Sequence, residues 1–321
     1  MRRPLAAVLA ATIACGVAVT ISPTSSSAGI RASAVAGPHT APAATPAKGI
    51  AITMGFANKL TDAKSMGIAN SLFSFVSEKL HANAVSLNFP FWESSSFSND
   101  PIRAPMTPSP QRMMAITAIA HHYGLSVQWR PFLFESDLLY QTHDSIRPTD
   151  PAMWLKNYWT FLQPYLQAAN LSGAASFSIA LELRTMLPFL SQWTTIVRRA
   201  KSLFSGTLFY SQQHLPQVSL PLTARGYDAY QPIDLKSAKD LNVGALTRGF
   251  VFNLHAPEMQ QTPADLTLEE ISIPGVPYAY LRPSHFHYGR NVPLDRPVQT
   301  EWFEAACNAF YQLHLQGIYY Y

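Results

Sequence analysis

The chain is poor in charge and in cysteine. Only 13% of its 321 residues are Asp, Glu, Lys or Arg, and its two cysteines are Cys15 and Cys307. Two cysteines allow at most one intrachain bridge, so no disulfide framework holds this fold and stability must come from a hydrophobic core. The formal charge is +4, and no dense Lys/Arg run occurs anywhere. The basic stripe expected of a nucleic-acid binder is therefore missing, and nucleic acid is not an expected partner. There is no Gly-rich phosphate loop and no Gly-x-Ser-x-Gly elbow, which removes nucleotide and serine-esterase chemistry. Beyond Ile21 no apolar run approaches the roughly 18 residues that span a bilayer. The pairs His121–His122 and His285–His287 have no matching Asp, Glu or Cys cluster, so no metal site is expected. No cofactor is implied.

Hydrophobic residues make up 48% of the chain and 25 residues are proline, the profile of a globular protein with many ordered loops. The start, "MRRPLAAVLAATIACGVAVTI", is basic and then apolar, and small residues follow it. It reads as an export signal over residues 1–28, which predicts a secreted or cell-envelope protein. Lipid attachment at Cys15 is the rival reading. Thr12 stands where lipoprotein signals place an aliphatic residue, and the apolar run continues past Cys15. Removal of Arg2 and Arg3 with the signal lowers the charge from +4 to +2. Cys307 then remains, on a helix, and is expected as core filling. Residues 29–48 are mostly Ala, Pro, Ser, Thr and Gly without an aromatic, and read as a flexible linker.

From residue 49 to 321 strand-like and helix-like segments largely alternate. The strands are "GIAITMGF", "NAVSLNFPFW", "LSVQWRPF", "SFSIALEL", "GTLFYSQ", "RGYDAYQPI", "LTLEEISI" and "GIYYY". Helices are expected near 62–80, 107–124, 150–169, 188–204, 235–254 and 299–315. Eight strands in βαβ succession point to the α/β class and to a closed (β/α)8 TIM barrel, and the chain stops at Tyr321 with no room for a final helix. The strand faces agree. Val85, Leu87, Phe89 and Phe91 share one side of strand two, while Ser86, Asn88, Pro90 and Trp92 share the other. The same pattern sets Gln128 and Arg130 on the inner side of strand three, and Ser178, Ala180 and Glu182 on that of strand four. Asn88, Arg130 and Glu182 thus point inward near carboxyl ends of strands, where barrel enzymes build their sites.

Glycoside cleavage needs two carboxyl groups flanking the scissile bond, one protonated to help the leaving group and one ionised to attack or to activate water. Strand four offers Glu182. Strand seven, on the opposite arc, offers Glu269 and Glu270. Alternation puts Glu269 with Thr267 on the more polar face and Glu270 with Leu266 and Leu268 on the other, so both acids remain open on this ground alone.

These residues, in this order, resemble glycoside hydrolase clan A, and within it glycoside hydrolase family 113, the β-mannanase-like barrels and their exported relatives. "KGIAIT", "ANAVSLNFPFW" and "GLSVQWRPF" resemble the family's first three strands. "FSIALEL" resembles its strand ending in Gly-x-Glu-Leu, "YDAYQPI" its Asp-x-Tyr strand, and "LTLEEISIPGVPYAYLRP" its Glu-x-Gly-Ile strand and loop. The resemblance implies a retaining hydrolase of β-linked, mannan-like polysaccharide. Glu182 would be the acid/base and Glu270 the nucleophile, with Asp228 and Tyr230 at the site and an aromatic platform at the last strand, here Tyr320. Asn88, Arg130 and Trp92 complete the substrate-binding set. Trp154 is a further candidate platform, and Glu93 and Glu135, just past strand ends, read as surface loop acids in preference to substrate contacts. Three positions depart from the family pattern: Ala180 for Gly, Leu181 where many relatives have Asn, and Ser272 for Gly. They motivate the alternative, a catalytically silent barrel that binds glycan or an envelope component. The bland reading of Glu182 itself is an ion-pair partner for Arg130 or Arg184.

Overall fold

The structure, a computed structural model, describes residues 45–54, 61–135, 145–213, 220–222, 224–235, 241–255, 265–285 and 291–321. The proposed export segment and most of the linker lie outside them. Eight strands, β1 (Ala47–Thr53), β2 (Ala84–Glu93), β3 (Ser126–Glu135), β4 (Ser176–Leu181), β5 (Thr207–Gln212), β6 (Ala224–Asp228), β7 (Leu266–Ile271) and β8 (Gly317–Tyr320), close into one parallel barrel in chain order. β8 returns to β1 through the register Ala47↔Gly317 to Ile50↔Tyr320. Among the described residues six helices cover it: α1 (Asp62–Glu78), α2 (Pro110–His122), α3 (Pro151–Leu171), α4 (Leu190–Leu203), α5 (Val243–Leu254) and α6 (Arg296–Gln312). β8 is followed only by Tyr321.

Local chemistry explains where the helices begin. Ser109 and Asp150 accept hydrogen bonds from backbone N–H groups of the first turns of α2 and α3, and each precedes a proline whose fixed φ suits the first helical position. Thr61 and Asn242 cap α1 and α5 in the same way. The core then divides by layer. Odd-numbered residues of β2 and β3, such as Val85, Phe89, Val127 and Trp129, are buried against α1–α4, and β6–β8 pack on α5 and α6 around Trp302 and Phe310. Cys307 is buried on α6. Inside the barrel, Ala51, Ala84 and Tyr319 form a small separate apolar cluster.

Two strands depart from simple alternation. Ser178 pairs with Phe209 but Leu181 pairs with Ser211, so β4 carries one extra residue relative to β5. Ala180, expected on the axis side, consequently joins the outer core. Tyr227 pairs with Leu268 but Asp228 pairs with Glu270, so β7 also carries one extra residue. Such bulges re-aim the side chains that follow them.

The interior is filled closely enough that a single methyl group matters. A Cβ on Gly49 would run into the Tyr319 ring and come within 3.0 Å of the Ala84 carbonyl oxygen, and Tyr319 is itself buried. Gly49→Ala is therefore expected to destabilise the barrel by about 1–3 kcal/mol, read as a lower urea midpoint with unchanged slope.

Candidate active site

The even-numbered residues of β2 and β3 carry a polar interior into the mouth of the barrel in two layers. In the lower layer Gln128 donates from Nε2 to the Ser86 hydroxyl at 3.0 Å and to the Glu269 carboxylate, and accepts from the Ser176 hydroxyl at 3.0 Å. Ser86 in turn donates to Asn88 at 2.9 Å. Glu269 fits because Gly226 faces it; a Cβ there would lie 2.7 Å from the Glu269 Cγ.

The upper layer is organised by Arg130, which is fully buried. One guanidinium nitrogen donates to Asp228 and, at 2.8 Å, to Ser211. The other donates to Glu270 Oε1 at 2.5 Å. Ser211 also donates to Asp228 at 3.0 Å, and Tyr230 donates its hydroxyl to Glu270 Oε2 at 2.8 Å. Both oxygens of Glu270 are thus held in place. The bulge in β7 is what allows consecutive residues, Glu269 and Glu270, to share the interior, and it settles their arrangement: Glu269 lies deep, on Gln128, while Glu270 meets Arg130 and Tyr230.

Glu182 stands just past the bulge of β4, with its N–H donating to the Ser211 carbonyl at 2.8 Å. Its backbone is left-handed, φ 50, a conformation costly for a residue with a Cβ and concentrated at functional sites. The turn brings its carboxyl into hydrogen-bond contact with Asp228. It also brings it beside Tyr210, whose hydroxyl burial and the Glu182 charge hold far above the ordinary range.

Burial drives the Asp228 carboxyl up to about 7; Arg130 opposes this, Glu270 adds to it, and hydrogen bonds from Ser211 and Glu182 favour its ionised form. Two carboxyls can share a hydrogen bond only if a proton lies between them, so the Asp228–Glu182 pair holds one. Burial pushes Glu269 further, to about 8, against Arg130 and the Gln128 hydrogen bond. Burial alone would weaken the Arg130 charge, but Asp228, Glu270 and Glu269 together hold it above its ordinary value. One cation therefore faces four carboxyl groups, and the fold keeps protons among them.

Of the eight expected site residues, Glu182, Arg130, Asp228, Tyr230 and Glu270 converge at this point. Asn88 lies on the same face and bonds to Ser86. Trp92 stands higher on β2, its ring 4.4 Å from that of Phe134. Tyr320 lies elsewhere: it faces outward, edge-on to Phe303 of α6 with its hydroxyl donating to the Phe303 carbonyl at 3.4 Å. The neighbouring Tyr321 takes the mouth, 3.0 Å from the Thr53 hydroxyl. Period-two alternation from Tyr319 could have identified it. Trp154 is fully buried and donates to Glu93 at 2.9 Å, so Trp154 is core rather than the candidate platform and Glu93 is not a surface loop acid. Ser211 is the missed member of the cluster, the serine of "TLFYSQ" that alternation from Phe209 would have placed inward. His285 is exposed, and His287 lies outside the described residues.

Two outcomes follow. Arg130→Ala leaves Asp228 buried without its cation and should cost about 3–5 kcal/mol, measured by chemical denaturation. Asp228 and Glu269 keep their protons to higher pH when folded than when unfolded. Their stabilising contribution is complete below the ordinary carboxylate range and is lost as pH rises towards about 7 and 8. Glu269→Gln, which does not titrate, should shrink the fall in Tm between acidic and alkaline buffer by roughly several degrees, read by calorimetry.

No protein-family model matches this chain, and no curated protein does. Solved structures do. A GH113 β-1,4-mannanase superimposes with TM-score 0.70 at 12% identity, over 86% of this chain and 88% of that one. GH113 β-mannanase AaManA from Alicyclobacillus acidocaldarius gives 0.64 at 17% identity over 86% and 85%. A GH5_18 protein from Streptomyces cattleya, solved with Manβ1-4GlcNAc, gives 0.54 at 10% identity over 86% and 71%. At such identities the likeness establishes the fold alone, a (β/α)8 barrel like that of the GH113 β-mannanases.

Proposed function

We propose that the protein is a retaining glycoside hydrolase acting on β-linked, mannan-like polysaccharide, with Glu182 as acid/base and Glu270 as nucleophile. The observation that carries this reading is the unequal treatment of the two acids. Glu270 is bound through both oxygens by a cation and a hydroxyl, which fixes the orientation that an attacking carboxylate needs. Glu182 shares a hydrogen bond, and the proton in it, with a buried carboxyl, which suits a group that must donate one. One carboxyl fixed by a cation and another joined to a proton-sharing partner match the division of labour that a retaining mechanism requires. Both lie at carboxyl ends of strands, where barrel active sites are found. The mannan preference draws on the structural relatives, whose names are those of β-mannanases.

In the first step a Glu270 oxygen attacks the anomeric carbon as Glu182 passes its proton to the departing glycosidic oxygen, leaving a glycosyl ester on Glu270. Glu182 is then a carboxylate beside Asp228, and the repulsion raises its affinity for the proton of an incoming water. Water takes the sugar, Glu270 is released ionised, and Glu182 is protonated again.

Glu182→Gln should lower hydrolysis of β-mannan by about 10²–10⁴-fold while leaving the fold intact by circular dichroism. The loss should be much smaller with a dinitrophenyl glycoside, whose leaving group needs no proton. Glu270→Gln should abolish both reactions. Equal rates for Glu182→Gln and the native chain would refute the assignment. Glycan binding without cleavage by the native chain would favour the silent barrel instead.

A further inference from the structure

β2 and β3 stay in register for ten residue pairs, from Ala84↔Ser126 to Glu93↔Glu135. The site layer is the fifth of these, Asn88↔Arg130. The flanking strands stop near it: β1 ends at Thr53, the partner of Asn88, and β4 pairs with β3 only as far as Trp129↔Phe177. A two-stranded ribbon therefore continues past the rim by five residue pairs, about 16 Å at the rise of an extended strand.

The ribbon's two faces differ. Odd-numbered Phe89 and Phe91 turn to α3, with ring centroids 4.7 Å from Tyr165 and 5.0 Å from Phe161. The even-numbered face continues upward from Asn88 and Arg130 through Pro90 and Phe132 to Trp92 and Phe134. Trp92 and Phe134 are register partners with their rings in contact. Phe134 remains 40% exposed, and Ile102 beside them 46%. Reciprocal backbone hydrogen bonds of 2.9 and 2.7 Å tie Trp92 to Ile102. The next residue, Glu93, is anchored to α3 through Trp154. This is a rigid aromatic wall on the same face of the same strands as the catalytic cluster, held there although water would favour its burial.

We propose that this strip is a binding subsite for an extended β-linked oligosaccharide, with Trp92 and Phe134 stacking on sugar units beyond the one held between Glu182 and Glu270. The inference rests on the hydrolase reading of the site. Its reasoning is geometric. Trp92↔Phe134 lies four residue pairs above Asn88↔Arg130, about 13 Å along the strands, too far for these rings to touch the reacting sugar. A pyranose with mainly equatorial substituents offers an apolar C–H face, and flat aromatic rings bury it well. The wall thus makes the substrate a chain of several units and gives the protein a preference for length.

The test is a ladder of β-1,4-manno-oligosaccharides of two to six units. Calorimetric affinities are compared between Glu182→Gln and the same chain with Trp92→Ala and Phe134→Ala added. The ratio of hexasaccharide to disaccharide affinity is expected to fall at least tenfold in the triple variant. The same ratio of kcat/KM is expected to fall in Trp92→Ala/Phe134→Ala carrying native Glu182. Phe134→Ala alone, at an exposed position, serves if the double substitution unfolds, and should lower the ratio at least threefold. A ratio within twofold of the parent, or no binding of any member of the ladder, overturns the proposal. Hydrolysis with an unchanged ratio sinks the subsite alone. A lowered affinity ratio in a protein that hydrolyses nothing sinks the hydrolase reading and leaves the subsite.

Discussion

The arrangement of the barrel mouth depends on one guanidinium out of reach of water. A buried cation is tolerable only when it is neutralised and its N–H groups are satisfied. Arg130 is neutralised, and its two terminal nitrogens are engaged, by side chains from three other strands: Ser211 of β5, Asp228 of β6 and Glu270 of β7; its Nε alone is buried without a partner among the described residues. Its planar fork suits this task, since two nitrogens address two carboxylates at once. The reciprocal constraint is as strong. More acids gather around Arg130 than one positive charge can balance, so some must hold protons, and burial selects Asp228 and Glu269 for upward shifts. A polar interior of this kind adds little net stability. What it provides is a fixed relative placement of groups borne by strands on opposite sides of the barrel.

The barrel itself was legible because its signals are local and repeated. Period-two alternation in β2 and β3 separates core from interior over ten residues each, and Ser109–Pro110 and Asp150–Pro151 mark helix starts by capping chemistry. The inward placement of Asn88 and Arg130 follows from the same alternation. What resisted reading were the positions at the bulges themselves. A bulge is an offset between two strands, so neither strand's sequence announces it alone. It sends Ala180 to the outer core, and in β7 it lets Glu269 and Glu270 both face inward where alternation permits only one. The aromatics failed for a different reason. Composition says that rings are plentiful, but only packing says that Trp154 serves the helices, whereas alternation along β8 was available to separate Tyr320 from Tyr321.

Fold and chemistry occupy different parts of the chain's length. Among the described residues, six helices and the outward residues of the strands build a conventional shell, and the interior polar network is carried by side chains on the inner faces and ends of strands. Residues 84–93 and 126–135 belong to both, because their outer rings anchor them to α3 while their inner faces run from the deep hydrogen-bond layer to the exposed aromatics. One rigid ribbon thereby links the buried network to solvent.

The left-handed backbone at Glu182 has a consequence for how this protein would respond to selection. Glycine or asparagine would sit there with less strain, and loss of the carboxyl would relieve crowding against Asp228. Libraries screened for heat resistance alone should accordingly accumulate changes at position 182, trading away the group that the proposed hydrolysis uses. Enrichment under a thermal screen and depletion under an activity screen would then mark the same position from opposite directions, as a place where stability and the proposed use are in conflict.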